Sequence, residues 1–159
     1  MSQKAIAGWL KGLIIGIFLC VLIVYVLVVP SIGQSIARAE PEFAYCYLPW
    51  LIFISVTALP CCCALFLAWK LAVNIGRDRA FTVENAKWMK YISFSIAADG
   101  LYFFLGNIVF LLLGMNHPGV ALLSLVIVIA CIAISIAAAA LSFFIKKAAA
   151  LQDQSDWTI

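Results

Sequence analysis

Four long stretches of this chain carry almost no charge, and they decide what it can fold into. They are residues 12–29, 43–69, 91–113 (broken only by Asp99) and 120–145. Each reaches the roughly 18–20 residues that a helix needs to cross about 30 Å of hydrocarbon. In lipid every backbone N–H and C=O must be paired internally, so apolar spans of this length are helices. A membrane β-barrel would show alternating segments of about ten residues instead, and the sequence carries no such pattern. Composition agrees: 67% of residues are apolar and 11% charged, against roughly 45–50% and about 25% in soluble domains. That excludes a water-soluble globular domain. It also excludes a disordered chain, which needs low hydrophobicity and high charge. The net charge of +3 comes from only ten Lys and Arg, too few for a nucleic-acid-binding domain. The 159 residues are expected to form one membrane domain.

Prolines and cations predict the threading. Pro30 is expected to close the first span. The second stretch holds 27 uncharged residues, about 40 Å as a helix, which is too long for an upright span. Phe43, Tyr45 and Tyr47 are therefore expected at the interface, with the span near 48–69. Pro49 then lies in the first turn, where a missing N–H costs nothing. Pro60 is expected to kink the span and free the carbonyl of Val56. Lys4 and Lys11 precede the first span; Lys70, Arg77, Arg79, Lys87 and Lys90 lie between the second and third; Lys146 and Lys147 follow the fourth. Nine of the ten cations thus share one side, and only Arg38, beside Glu40 and Glu42, lies on the other. The positive-inside rule predicts that both termini are cytoplasmic. Trp9, Trp69, Trp88 and Tyr91 mark an inner aromatic belt, and Tyr45, Tyr47 and Trp50 an outer one. Ala37-Arg38-Ala39 resembles a signal-peptide cleavage site. The apolar run before it is longer than the usual 7–15 residues and ends about ten residues earlier, so the first span is expected to remain as a membrane helix.

The fold class predicted is all-α, an integral membrane four-helix bundle with spans near 12–29, 48–69, 91–113 and 120–145. The connections are a short outer loop at 31–42, a hydrophilic inner loop at 70–90 and a tight outer turn at 114–118, followed by a cytoplasmic tail at 146–159. Gly8, Gly12, Gly16 and Cys20 recur every four residues on the first helix, the spacing that lets backbones approach closely. Ala130, Ala133, Ala137 and Ala140 form a comparable stripe on the fourth. Both stripes are expected to pack inside the bundle, with homodimerisation as the alternative.

Asp99 is the one carboxylate inside a span, at a cost of about 2.5–3.5 kcal/mol at a helix centre. Ser95, Tyr102 and Gly106 lie at helical spacing from it, so one polar stripe is expected to face inward. No Lys, Arg or His inside the membrane can pair with Asp99, which favours its neutral form. A proton, ion or ligand site and a hydrogen-bonded packing residue both fit. The six cysteines do not make a metal or redox centre by their spacing. Cys61, Cys62 and Cys63 are consecutive and point about 100° apart on a helix, Cys20 and Cys131 lie mid-membrane, and no Cys-x-x-Cys occurs. They are expected to be buried small residues that behave as hydrophobes. His117, the sole histidine, lies in the turn signature Asn116-His117-Pro118-Gly119. It has no partners for haem ligation or catalysis. Gly-x-Ser-x-Gly, His-Glu-x-x-His and phosphate-loop patterns do not occur.

The inner segment is the most patterned. Gly76 can end the second helix. Thr82 can cap the third, with Glu84 in its first turn favouring the helix dipole. Trp88 and Met89 can dip into the headgroups while Lys87 and Lys90 stay wet. This segment reads either as a re-entry turn attracted to anionic lipid or as a docking surface formed by Arg77, Arg79, Phe81, Asn85, Lys87 and Trp88. The core Gly-x-x-x-Ala-Phe-Thr-x-x-Asn, Gly76 to Asn85, lies between the second and third of four spans. By this core the chain resembles a bacterial family of small integral membrane proteins, domain of unknown function 2975. Many relatives have Pro where this chain has Ala80. Members of that family are often encoded beside a very small helix-turn-helix regulator of the Cro type. The resemblance implies that such proteins hold or modulate a regulator at the membrane, and it supplies no catalytic residue.

The function expected is a non-enzymatic regulator or sensor in the bacterial cytoplasmic membrane with a cytoplasmic protein partner. Membrane lipid is the other partner, no cofactor or metal is called for, and direct nucleic-acid binding is not expected. The alternative is a small ion-coupled transporter or ligand-binding membrane protein using Asp99. The tail 146–159, which turns polar after Leu151 and ends in Trp157, Thr158 and Ile159, is a second candidate contact surface.

Overall fold

The computed structural model describes residues 2–156, with side chains through Gln154. All of its regular structure is helical. Helix α1 (Gln3–Ile23) passes through one π-helical turn (Val24–Val28) into α2 (Val29–Ala39). A 3-10 turn (Pro41–Cys46) leads to α3 (Tyr47–Gly76), followed by α4 (Val83–Leu112) and α5 (Pro118–Asp156). Four helical rods are long and apolar enough to cross a membrane: Gln3–Ala39, Pro41–Gly76, Val83–Leu112 and Pro118–Gln154.

Pro30 does not close the first helix. The chain stays helical to Ala39, because the π turn shifts the hydrogen-bond register just before the proline: the Val29 N–H reaches back five residues to the Val24 carbonyl. Such local π adjustments are how membrane helices absorb a proline without orphaning backbone groups. The expected outer loop at 31–42 is consequently helix and 3-10 turn. The first rod spans 37 residues, about 55 Å at 1.5 Å per residue. It exceeds the hydrocarbon layer of about 30 Å, so its polar end (Gln34, Ser35, Arg38) extends past the apolar segment. Pro60 lies inside α3, which remains a helix on both sides of it. The tail is likewise not a separate segment, since α5 runs on through Lys146 and Lys147 to Asp156. Trp157, Thr158 and Ile159 lie outside the described residues.

The helices pack in chain order. The first rod lies against α3, α3 against α4, and α4 against α5, and among the described residues no other pair of rods comes together. The expected bundle is thus an open series, with the first rod and α5 as its edges. The inward face of α5 runs through Ser124, Cys131, Ser135, Ala138, Ser142, Ile145 and Ala149, all buried or half-buried. Its steps of three, four or seven residues follow a heptad and suit one antiparallel partner. Three serine hydroxyls bind α5 to α4. Ser93 Oγ donates to the Ser135 carbonyl at 2.7 Å, Ser135 Oγ donates to the Ser93 carbonyl at 2.9 Å, and Ser142 Oγ donates to the Ala86 carbonyl at 2.6 Å.

Both small-residue stripes face the other way. Gly8, Gly12, Gly16 and Cys20 are exposed, and so are Ala130, Ala133, Ala137 and Ala140. A Cβ placed at Gly8, Gly12 or Gly16 would meet nothing within 4 Å. Close approach is made by other glycines. A Cβ at Gly100 would come 2.8 Å from the Cys131 Cβ, one at Gly76 would come 3.2 Å from the Ala7 Cβ, and one at Gly106 would overlap the Phe53 ring. Phe53 is buried there among Trp50, Tyr102, Phe103 and Phe110. Of the cysteines only Cys46 is buried: Cys61 and Cys131 are half-buried, and Cys20, Cys62 and Cys63 are exposed. Burial was the expectation for all six, but an open series leaves more helix surface facing lipid than a closed one. An apolar thiol is tolerated there.

Candidate functional site

Two places concentrate polar side chains: the turn between α3 and α4, and the middle of the membrane around Asp99.

The turn is much tighter than a 70–90 loop. Lys70 lies on α3 and Lys87, Trp88 and Lys90 on α4, leaving only residues 77–82 between the helices. Gly76 ends α3 as expected, but the residue with positive φ is Asp78, at 58°. The Arg79 N–H reaches the Asn74 carbonyl at 3.0 Å and the Asp78 N–H reaches the Ile75 carbonyl at 3.2 Å. This bond pair is a Schellman motif, with Asp78 in the place usually taken by glycine. Thr82 caps α4, its Oγ1 accepting from the Asn85 N–H at 3.2 Å, and Glu84 lies in the first turn. Asn85, 0% exposed, fills the inside of the turn. Its Nδ2 donates to the carbonyls of Arg79 at 2.7 Å and Ala80 at 2.9 Å, while its Oδ1 accepts from Asn74 Nδ2 at 2.8 Å.

The six residues named for a docking surface therefore separate. Asn85 shapes the surface from within and is not part of it. Trp88 is half-buried, with Lys70 Nζ 5.5 Å from its ring centroid. Arg77, Arg79, Lys87 and Phe81 are exposed, Phe81 to 55%. Phe81 is thus exposed on a hydrogen-bonded turn that also carries Arg77 and Arg79.

Near mid-membrane, Asp99 is half-buried on α4. Its Oδ1 is enclosed and accepts no hydrogen bond among the described residues. Tyr25, Cys61, Tyr102 and Cys131 lie within electrostatic reach of it, so all four rods contribute to this level. Tyr25 Oη and Thr57 Oγ1 are 2.6 Å apart, and Thr57 Oγ1 donates to the Ile54 carbonyl at 2.7 Å. Thr57 has one hydroxyl hydrogen, so Tyr25 is the donor to Thr57. Tyr102 Oη makes a long contact, 3.4 Å, with the Phe53 carbonyl. The expected polar stripe is only partly formed. Tyr102 faces this level, no hydrogen bond joins Ser95 to Asp99, and Gly106 serves the Phe53 ring instead. The buried serine of α4 is Ser93, two residues from the one anticipated. Among the described residues no three His, Cys, Asp or Glu side chains gather where they could hold a metal ion.

Sequence reasoning also passed over a second asparagine-held turn. At the other end of α4, Asn116 Nδ2 donates to Asn107 Oδ1 at 2.9 Å and to its carbonyl at 3.3 Å, while Asn107 Nδ2 donates to the Phe103 carbonyl at 2.9 Å. His117 is a turn residue as expected: its Nδ1 accepts from the Gly119 N–H at 3.0 Å at the start of α5. An asparagine on each side of a short helix connection, Asn74 with Asn85 and Asn107 with Asn116, was the available signal.

Residues 31–159 match the family described as "Protein of unknown function (DUF2975)". The chain belongs to that family. It is also 28% identical, over 95% of its own length and 96% of the relative's, to the "Uncharacterized membrane protein YoaS" of Bacillus subtilis (strain 168). No solved structure matches. A membrane protein with several spans is therefore what the four apolar rods and this relative agree on.

Proposed function

We propose that this DUF2975 protein is a non-enzymatic membrane regulator whose α3–α4 turn is a docking surface for a cytoplasmic protein. A small helix-turn-helix transcription regulator is the partner the family resemblance suggests, and a bacterial cytoplasmic membrane is the setting. The observation that carries this reading is the way Asn85 fills the turn from within while Phe81, Arg77 and Arg79 on the same turn stay exposed. An exposed apolar anchor on a hydrogen-bonded turn that also carries exposed cations suits a protein partner with an acidic rim.

The test is retention, on the purified protein in neutral detergent, of a small helix-turn-helix regulator of the Cro type, taken from beside the gene if one is encoded there. Retention is expected to fall when Phe81, or Arg77, Arg79 and Lys87 together, become Ala. Truncation after Lys147 tests the α5 extension in the same way. Unchanged retention in all three variants would rule out both surfaces.

A second reading, a small ion-coupled carrier, is favoured by the unpartnered Asp99 Oδ1. It predicts that Asp99→Asn abolishes transport while the turn variants matter little. Homodimerisation is supported by the outward-facing Gly8, Gly12 and Gly16, the first two of which border a shallow groove of about 470 Å³ with Ala5, Trp9 and Leu13.

A further inference from the structure

We propose that the exposed face of α3, at its basic end, binds an anionic phospholipid, with Lys70 holding the phosphate and the acyl chains lying along Phe66 and Leu59. The first observation is how exposure is distributed around α3. Between Leu48 and Lys70 every exposed residue falls within one sector of about 140°, at about 100° per residue. The remaining residues of that stretch are buried or half-buried. Leu59, Cys62, Cys63 and Phe66 lie in the sector, Leu59 67% and Phe66 59% exposed. It is a continuous apolar face that acyl chains can cover.

The second observation is what borders this face at the basic end. Trp69 lies at one edge of the sector, and Lys11 Nζ from α1 is 5.8 Å from its ring centroid. Lys70 lies about 100° further round. Its Nζ is 4.7 Å from the Phe66 ring centroid and 5.5 Å from that of Trp88 on α4. A lysine that only snorkels stretches its ammonium away from hydrocarbon into water. Lys70 does the reverse. Side chains on a helix lean toward its N-terminus, which on α3 is toward the membrane centre, and Phe66 lies one turn deeper still. The ammonium is thus folded back among the aromatic rings that mark the interface, directly above the apolar face.

The third observation is the lack of a counter-charge. Among the described residues neither Lys11 nor Lys70 makes an ion pair. Lys70 brings three N–H donors to the boundary between hydrocarbon and water, and the protein sets no carboxylate against them. Lipid phosphates lie at that boundary, and a charge-assisted bond from ammonium to phosphate satisfies both partners. The head group must be net negative. A zwitterionic lipid brings its own cation, which competes with Lys70 for the phosphate, and Lys11 at the other edge of the face adds to the preference for an anion. Lys11 and Lys70 both lie outside the α3–α4 turn, so the inference does not rest on the docking reading.

The experiment compares phosphatidylglycerol with phosphatidylcholine of the same acyl chains on the full chain in neutral detergent, counting bound lipid by native mass spectrometry. About one phosphatidylglycerol per chain is expected to remain under conditions that strip phosphatidylcholine. Lys70→Gln is expected to weaken phosphatidylglycerol binding about tenfold. Arg79→Gln makes the same charge change in the turn and is expected to alter binding by less than about twofold. Soluble glycerol phosphate, which lacks the chains, is expected not to compete at equal concentration. Equal retention of the two lipids overturns the proposal, and so does competition by glycerol phosphate. Equal binding by Lys70→Gln and Arg79→Gln leaves only a general attraction of the basic end and overturns it too. The lipid comparison and the competition are read on the unmodified chain and do not depend on how the variants fold. Failure of the docking reading shows separately, as unchanged regulator retention in turn variants that keep Lys70.

Discussion

Asn85 and Asn107 perform one task at opposite ends of α4. Both are 0% exposed, and both bind the connection to the neighbouring helix: Asn85 donates to the Arg79 and Ala80 carbonyls, and Asn107 Oδ1 accepts from Asn116. Removing one partner of a buried hydrogen bond leaves the others unsatisfied, at a cost of about 1–3 kcal/mol. Asn85→Ala is expected to cost about that much, seen as a lower midpoint of thermal unfolding in detergent. Asn85→Asp, nearly the same size, is expected to be worse, because it sets a carboxylate oxygen against the Arg79 and Ala80 carbonyls. An aspartate variant as stable as the parent would show that these carbonyls have other donors. Asp78 gives a prediction of opposite sign. At φ 58° it bears the left-handed conformation that glycine adopts freely, as Gly114 does at φ 70° in the α4–α5 turn. Asp78→Gly is therefore expected to stabilise by up to about 1 kcal/mol, measured the same way. The sequence made the Thr82 cap and the Gly76 terminus legible, since both follow from local spacing. It hid the roles of Asn74 and Asn85, whose partners meet only once the turn has closed.

At the scale of elements, glycine and proline were visible in the sequence while the faces they occupy were not. Hydropathy in a membrane helix is nearly uniform around its circumference, so it cannot mark which side meets another helix. Small-residue spacing was the substitute signal, and it pointed to the outward faces of α1 and α5. The contacts that join the helices use Gly76, Gly100 and Gly106 together with Ser93, Ser135 and Ser142, which form no long stripe. Pro30 misled for a related reason: a proline ends a helix in water, but in lipid a π turn costs less than exposed backbone. The two sets of glycines make a paired prediction. Gly106→Ala must displace the Phe53 ring from its aromatic cluster and is expected to destabilise by about 1–3 kcal/mol. A Cβ at Gly12 meets nothing within 4 Å in its own chain, and Gly12→Leu is expected to leave the fold unchanged. If two copies associate through that face, Gly12→Leu should also convert dimer to monomer, read from the particle mass in detergent. A fold that tolerates Gly106→Ala and fails with Gly12→Leu would invert the assignment of inner and outer faces.

The molecule as a whole turns on a contrast between its two ends. Ala7 packs on Gly76, Lys11 Nζ lies 5.8 Å from the Trp69 ring centroid, and Ser142 is bonded to the Ala86 carbonyl. The start of the first rod, the α3–α4 turn and the exit of α5 toward Lys146 therefore lie at one end. That end carries nine of the ten cations, as loop counting from the sequence implied, and the opposite end carries Arg38 with Glu40 and Glu42. Packing in series makes orientation a single choice. No rod can be inverted alone without breaking a contact that ties its end to a neighbour, such as Ala7 with Gly76 or Ser93 with Ser135. The cation imbalance then acts on the whole molecule, and the basic end is expected to stay on the cytoplasmic side. Two fusions measure this: a reporter enzyme that works only outside the cytoplasm, attached after Ile159 in one case and inserted between Glu40 and Pro41 in the other. The first is expected to be silent and the second active. The reverse pattern would turn the whole molecule over and place Phe81 and its arginines outside the cell, ending the case for a cytoplasmic partner. Activity at both positions would mean an even number of crossings between them, so one of the three rods that follow Glu40 would lie outside the bilayer.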